Sequence, residues 1–106
     1  TIKNELFARY KANEDFIQKY IFPGGFLPSL DQIKKLSKKN QLHLEQVNFY
    51  SDDYAKTLFT WKKNFFNAWD KILPLGFDDY FKRMWEFYLS YCEAGFKSKN
   101  IDLILN

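Results

Sequence analysis

The chain has 106 residues, enough for one small domain or for part of a larger one. Its 16 Lys+Arg and 13 Asp+Glu leave a formal net charge of +3, too mild for a nucleic-acid-binding arm. One Cys and one His exclude an internal disulfide framework and a protein-only zinc site, and no apolar run nears the ~20 residues of a membrane-spanning helix.

Leu6, Phe7 and Tyr10 fall at i, i+1 and i+4, a helical stripe in an otherwise polar start. Residues 13–22 read as a helix with Phe16, Ile17, Tyr20 and Ile21 on one face, stopped by Pro23-Gly24-Gly25. Ser29 and Gln32 make a capping box for the next helix. Its stripe is Leu30, Ile33 and Leu36, and its wet face carries Lys34, Lys35, Lys38 and Lys39. Residues 42–50 alternate as a strand whose phase slips near Glu45-Gln46, the mark of a bulge. Ser51-Asp52-Asp53 offer caps for a long helix in which Tyr54, Leu58, Trp61, Phe65, Ala68 or Trp69, and Ile72 recur at helical spacing. Pro74-Leu75-Gly76 ends it. Asp78 caps another helix with Phe81, Met84, Tyr88, Tyr91 or Cys92, and Gly95. Ile101 to Leu105 reads as a short apolar strand. Two helices between two strands predict antiparallel pairing. Two strands are too few for a stable sheet, so the pair is expected to edge a larger one supplied by residues before Thr1.

Aromatic residues are 21% of the chain: 12 Phe, 7 Tyr and 3 Trp. Each ring brings ~150–250 Å² to bury, and a chain this short encloses only part of that. The surplus lines a pocket, faces a partner or lies against a domain outside this sequence. The titratable residues alone form no catalytic constellation. His43 sits in the predicted strand, Asp52 and Asp53 read as caps, and Cys92 lies on an apolar helix face as a core residue. Pro23-Gly24-Gly25 follows a helix instead of a strand, so it is no phosphate loop. No signal peptide precedes Thr1, and a cytosolic compartment is expected for a chain that is itself part of something longer.

Three blocks are more specific. They are the stretch from Lys19 through Tyr20-Ile21-Phe22-Pro23-Gly24-Gly25 to Ser29, then Ser51-Asp52-Asp53-Tyr54 through Leu58 with Trp61, and then Phe81-Lys82-Arg83-Met84 with Tyr88 and Tyr91-Cys92-Glu93-Ala94-Gly95-Phe96. In this order and spacing they resemble the C-terminal part of the cyclopropane fatty-acyl-phospholipid synthase family. The resemblance implies an α/β fold: the C-terminal part of a Rossmann-like class I S-adenosylmethionine (SAM) methyltransferase, mostly helical here with two edge strands. Residues 1–106 would then be one portion of a single methyltransferase domain, with Thr1-Ile2 ending a central strand and the SAM-binding half upstream.

In that family a methyl group of SAM reaches a cis double bond of a phospholipid acyl chain, and bicarbonate accepts a proton as the ring closes. Such chemistry needs an apolar tunnel, excluded water and unreactive negative potential. The resemblance makes Phe22 and Tyr54 the catalytic candidates. The Phe22 ring would stabilise positive charge by ~2 kcal/mol when desolvated, and the Tyr54 hydroxyl would hold bicarbonate. Tyr20, Phe22, Trp61 and Tyr88 are the acyl-chain-binding candidates, with core packing the competing role for Tyr88. Ile2 is expected to approach the bicarbonate through its main chain. The resemblance assigns no cofactor-binding or metal-binding residue within this chain and no role to Phe26. The implied partners are unsaturated phospholipid acyl chains, a transient contact with the inner membrane from the cytoplasm, and a second copy in a homodimer. The alternatives are a free-standing acyl-chain or membrane-lipid binding module, a related fatty-acid methyltransferase, and a nucleic-acid binder using stacked aromatics, which the solvated lysine face disfavours.

Overall fold

A computed structural model describes residues 1–105. A 3-10 turn (Asn4–Leu6) leads into helix α1 (Phe7–Ala12), and a π-helical turn (Ile17–Ile21) follows. Then come α2 (Leu30–Lys39), strand β1 (Asn48–Phe49), α3 (Ser51–Asn67), α4 (Trp69–Ile72), a 3-10 turn (Leu73–Leu75), α5 (Asp79–Lys97) and strand β2 (Ile104–Leu105). The described residues extend 52 × 28 × 23 Å.

Helix starts follow local chemistry. The Ser29 hydroxyl accepts from the Gln32 amide at 3.3 Å and opens α2. The Asp78 carboxylate accepts from the Phe81 amide at 2.9 Å and opens α5. Asp52 and Asp53 do not cap α3. Ser51 is already helical, Tyr50 is the cap residue, and the two acids occupy the first turn, where they complement the helix dipole. The Tyr50 amide donates to the Leu103 carbonyl at 3.0 Å and to the Asp102 carboxylate at 3.1 Å, so the start of α3 is held by a segment about fifty positions away. The predicted long helix breaks at Ala68, where its stripe was ambiguous, and Trp69 turns inward to become buried.

The strands pair antiparallel, Asn48 opposite Leu105 and Phe49 opposite Ile104. Both are shorter than their sequence patterns. Residues 42–47 have no ladder partner among the described residues and join no strand, so the expected bulge has nothing to interrupt. Ile2 is bridged in parallel to Ser29 and antiparallel to Ile101, between two neighbours.

The core lies where α3 packs on α5. Ala55 and Leu58 from α3 and Leu89 from α5 are 2–3% exposed, joined by Ile2 and Trp69. Burying a leucine side chain contributes ~1.5–3 kcal/mol. Between the same helices Glu93 is buried and accepts from Lys62 at 3.0 Å and Lys97 at 3.1 Å. No described helix is long and apolar enough to cross a membrane.

Candidate active-site cleft

Asp15 and Gln18 form a reciprocal capping box that the apolar pattern had hidden. The Gln18 amide donates to the Asp15 carboxylate at 2.8 Å, and the Asp15 amide donates to the Gln18 side-chain oxygen at 3.0 Å. The Gln18 side chain also donates to the Gly25 carbonyl at 3.1 Å, tying the Pro23-Gly24-Gly25 turn back onto the helix it follows. Gly24 takes φ +80°, a conformation that disfavours a side chain, and a Cβ on Gly25 would stand 2.9 Å from the Phe22 carbonyl oxygen. Both glycines are therefore needed to bend the chain beside Phe22. The Phe22 amide donates across five residues to the Ile17 carbonyl at 2.8 Å, which closes the π-turn.

This bend presents Phe22 to an open cleft of about 950 Å³ between the first segments and the α3–α5 pair. Phe22, Tyr54, Leu58, Trp61 and Tyr88 line it. Phe22 stands edge-on to Tyr88, with ring centroids 6.2 Å apart at 79°. Tyr54 stands edge-on to Trp61 at 5.9 Å and tilted against Phe96 at 4.7 Å. Phe22 is 56% exposed, so its ring faces the cleft and does not plug a helix end. Among the described residues neither the Tyr54 nor the Tyr88 hydroxyl makes a hydrogen bond within the chain. Burial pushes the Tyr88 phenol up, and the neighbouring Cys92 and Tyr54 push it the same way, so it stays protonated.

Four of the five residues expected to form the site thus share one cleft. Tyr20 does not. It is half-exposed on a separate small depression with Phe16, Tyr80, Arg83 and Met84, because it precedes the bend that turns Phe22 inward. Ile2 lines the cleft as well, with its amide donating to the Pro28 carbonyl at 3.0 Å. Cys92 is half-buried on the cleft wall instead of deep in the core. Burial and then the charge of Asp15 push its thiol up to about 11, which makes it a poor nucleophile. His43 is exposed and lies outside any strand and outside the cleft lining. No group of three potential metal ligands gathers among the described residues.

Sequence reasoning missed Tyr10, Asp15 and Tyr91 on the same cleft. The Tyr91 hydroxyl donates to Asp15 at 3.4 Å, and the Tyr10 hydroxyl accepts from the Leu27 amide at 3.0 Å. The Asp15-x-x-Gln18 spacing was the available signal for the first of these.

Comparison with known proteins agrees with this architecture. The family described as mycolic acid cyclopropane synthetase matches residues 1–105. Tuberculostearic acid methyltransferase UfaA1 of Mycobacterium tuberculosis is 43% identical over 91 residues, covering 85% of this chain and 21% of its own length. Cyclopropane-fatty-acyl-phospholipid synthase of Escherichia coli is 37% identical over 90 residues, 85% of this chain and 23% of its own length. The crystal structure of mycolic acid cyclopropane synthase CmaA1 complexed with SAH and CTAB superposes with a TM-score of 0.78 at 28% identity, over 94% of this chain and 33% of that one. The chain therefore spans about a fifth to a third of the length of these relatives, and its fold is a segment of the Rossmann-like class I methyltransferase fold. On the family match, the identities and the superposition together, the chain belongs to the mycolic acid cyclopropane synthetase family of SAM-dependent methyltransferases.

Proposed function

We propose that this chain is the C-terminal, acyl-chain-facing portion of a SAM-dependent cyclopropane-fatty-acyl-phospholipid synthase, whose SAM-binding half is contributed by residues upstream. The observation that carries this reading is the convergence of Phe22, Tyr54, Trp61 and Tyr88 on one cleft of about 950 Å³. That size suits a long apolar ligand. SAM, when bound, supplies the one-carbon unit.

The chain's own residues do three things. Phe22, Trp61 and Tyr88 keep water from the reacting double bond, where it would trap positive charge. The Phe22 ring, held in a T-shaped contact with Tyr88, offers negative potential without a nucleophilic atom. The Tyr54 hydroxyl, free of internal partners among the described residues, offers one donor to an anion beside the acyl chain. Within this chain the Tyr54 hydroxyl would hold bicarbonate. The protein would work from the cytoplasm in transient contact with the membrane that holds its substrate.

The test uses the full-length protein, SAM labelled in its methyl group and vesicles of a phospholipid with one cis double bond. Label is expected in the acyl chain, with loss of the double bond. SAM consumption without label in the lipid would overturn the reading.

A further inference from the structure

Ile2 and Ser29 are both buried and are bridged to each other, while no residue between them is buried. The Ile2 amide donates to the Pro28 carbonyl at 3.0 Å, the Lys3 amide to the Asn100 carbonyl at 2.8 Å, and the Asp31 amide to the Asn4 side chain at 3.1 Å. Residues 3–28 therefore leave the body of the molecule and return to it at one place. The loop they make is packed on itself. Phe26 meets Phe7 at 5.8 Å and Tyr10 at 5.3 Å between ring centroids, and the Tyr10 hydroxyl accepts from the Leu27 amide.

Away from its base this loop reaches the α3–α5 pair through side chains. Among the described residues no backbone hydrogen bond joins residues 5–27 to α3 or α5. Its ring contacts with the body fall on α5. Phe16 stands against Phe87 at 4.6 Å and 70° and against Tyr91 at 6.2 Å, and Phe22 is T-shaped to Tyr88 at 6.2 Å. The Tyr91 hydroxyl donates to Asp15 at 3.4 Å. Phe87 and Tyr91 are exposed, so parting them from Phe16 opens no buried core. A segment attached by few, half-exposed contacts opens at a small part of the global stability. Among the described residues neither Phe16 nor Phe87 lines the cleft.

Building on the proposed function, we infer that residues 3–28 form a hinged flap over the cleft, and that Phe16, seated on Phe87 and Tyr91, is the latch that sets Phe22 against Tyr88. Phe16 is thus a positioning residue, acting on the reaction through Phe22. With the latch released, the flap swings about Ile2 and Pro28 and admits an acyl chain. With it seated, the Phe22 ring returns to the chain and water is shut out.

The test reads opening without turnover. Cys92 lines the cleft on α5. Its alkylation by iodoacetamide at pH 8 in the full-length protein, followed by peptide mass mapping, reports how often the cleft opens. Phe16→Ala should speed alkylation about fivefold, the scale of one aromatic contact, with the melting temperature unchanged. Phe87→Ala removes the same contact from the other side and should act alike, and the two together should do little more than either alone. Phe16→Tyr should restore the slow rate. On a monounsaturated phospholipid, kcat should fall in Phe16→Ala by a similar factor and recover in Phe16→Tyr. Unchanged labelling, additive effects of the two substitutions, or a matching loss of melting temperature would overturn the flap. Faster labelling with unaltered kcat would overturn the positioning of Phe22. If the wild-type protein leaves the phospholipid unmodified, the synthase reading fails, while the labelling rates still decide the flap.

Discussion

Phe22 and Tyr88 meet edge to face across the cleft, 6.2 Å between ring centroids, although sixty-six positions separate them in the chain. Tyr88 is in turn backed by Trp85 at 4.9 Å, so the ring that steadies Phe22 is itself held. The pair leaves the Phe22 face open to whatever fills the cleft.

Phe22→Leu in the full-length protein keeps an apolar group at this point and removes the π face. Turnover should fall by about 2 kcal/mol, or about thirtyfold, with SAM affinity preserved. Phe22→Tyr should retain most of it. Leucine turning over as fast as phenylalanine would remove the ring from the mechanism.

Glu93 on α5 joins the two long helices through Lys62 of α3 and is also paired with Lys97 one turn on in its own helix. Burial works to raise its pKa, but the hydrogen bonds and charges of the two lysines outweigh burial and hold it below its ordinary value of 4.5. A carboxyl depressed in the folded state adds stability that is fully present above the unfolded value and is lost as pH falls through the folded one. Glu93→Gln should therefore flatten the loss of thermal stability between neutral pH and pH ~3. Identical acid profiles for the two proteins would contradict this. Lys62→Ala at pH 7 should cost about 1–3 kcal/mol in urea unfolding, since it strips a buried carboxylate of one partner.

Cys92 lines the cleft with its thiol pushed up to about 11, by burial first and by Asp15 second. Native protein at pH 8 should react slowly with iodoacetamide at this position, and labelling should accelerate as pH rises toward 11 or when the protein unfolds. Peptide mass mapping distinguishes Cys92 from other thiols of the full-length protein. Rapid labelling at pH 7 would show a thiolate the structure does not support.

Parts of this architecture are legible one element at a time. Ser29 and Asp78 announce α2 and α5 because a cap is a contact within four residues. Phe22, Tyr54, Trp61 and Tyr88 could be marked because their blocks resemble a family, and the fold then gathers them. What sequence could not show is contact at a distance. Asp102 and the Leu103 carbonyl hold the Tyr50 amide just before α3, and the helix begins at Ser51, so Asp52 and Asp53 fall inside its first turn and not at its cap. Alternation over residues 42–50 reports a face but not a partner, and only Asn48 and Phe49 find one. Tyr20 and Phe22 belong to one block of the resemblance, and only the bend after the π-turn carries Phe22 into the cleft and leaves Tyr20 outside it. The Asp15–Gln18 box was readable from its spacing, yet its consequence, a carboxylate set against Tyr91, was not.

The central claim is that the Tyr54 hydroxyl acts on the reaction and not on the fold. The most direct measurement is Tyr54→Phe in the full-length protein, with turnover on a monounsaturated phospholipid and SAM affinity determined side by side. Loss of one positioned donor should lower kcat about a hundredfold, with the Kd for SAM and the melting temperature unchanged. Unaltered turnover, or a parallel loss of SAM affinity and stability, would contradict the account.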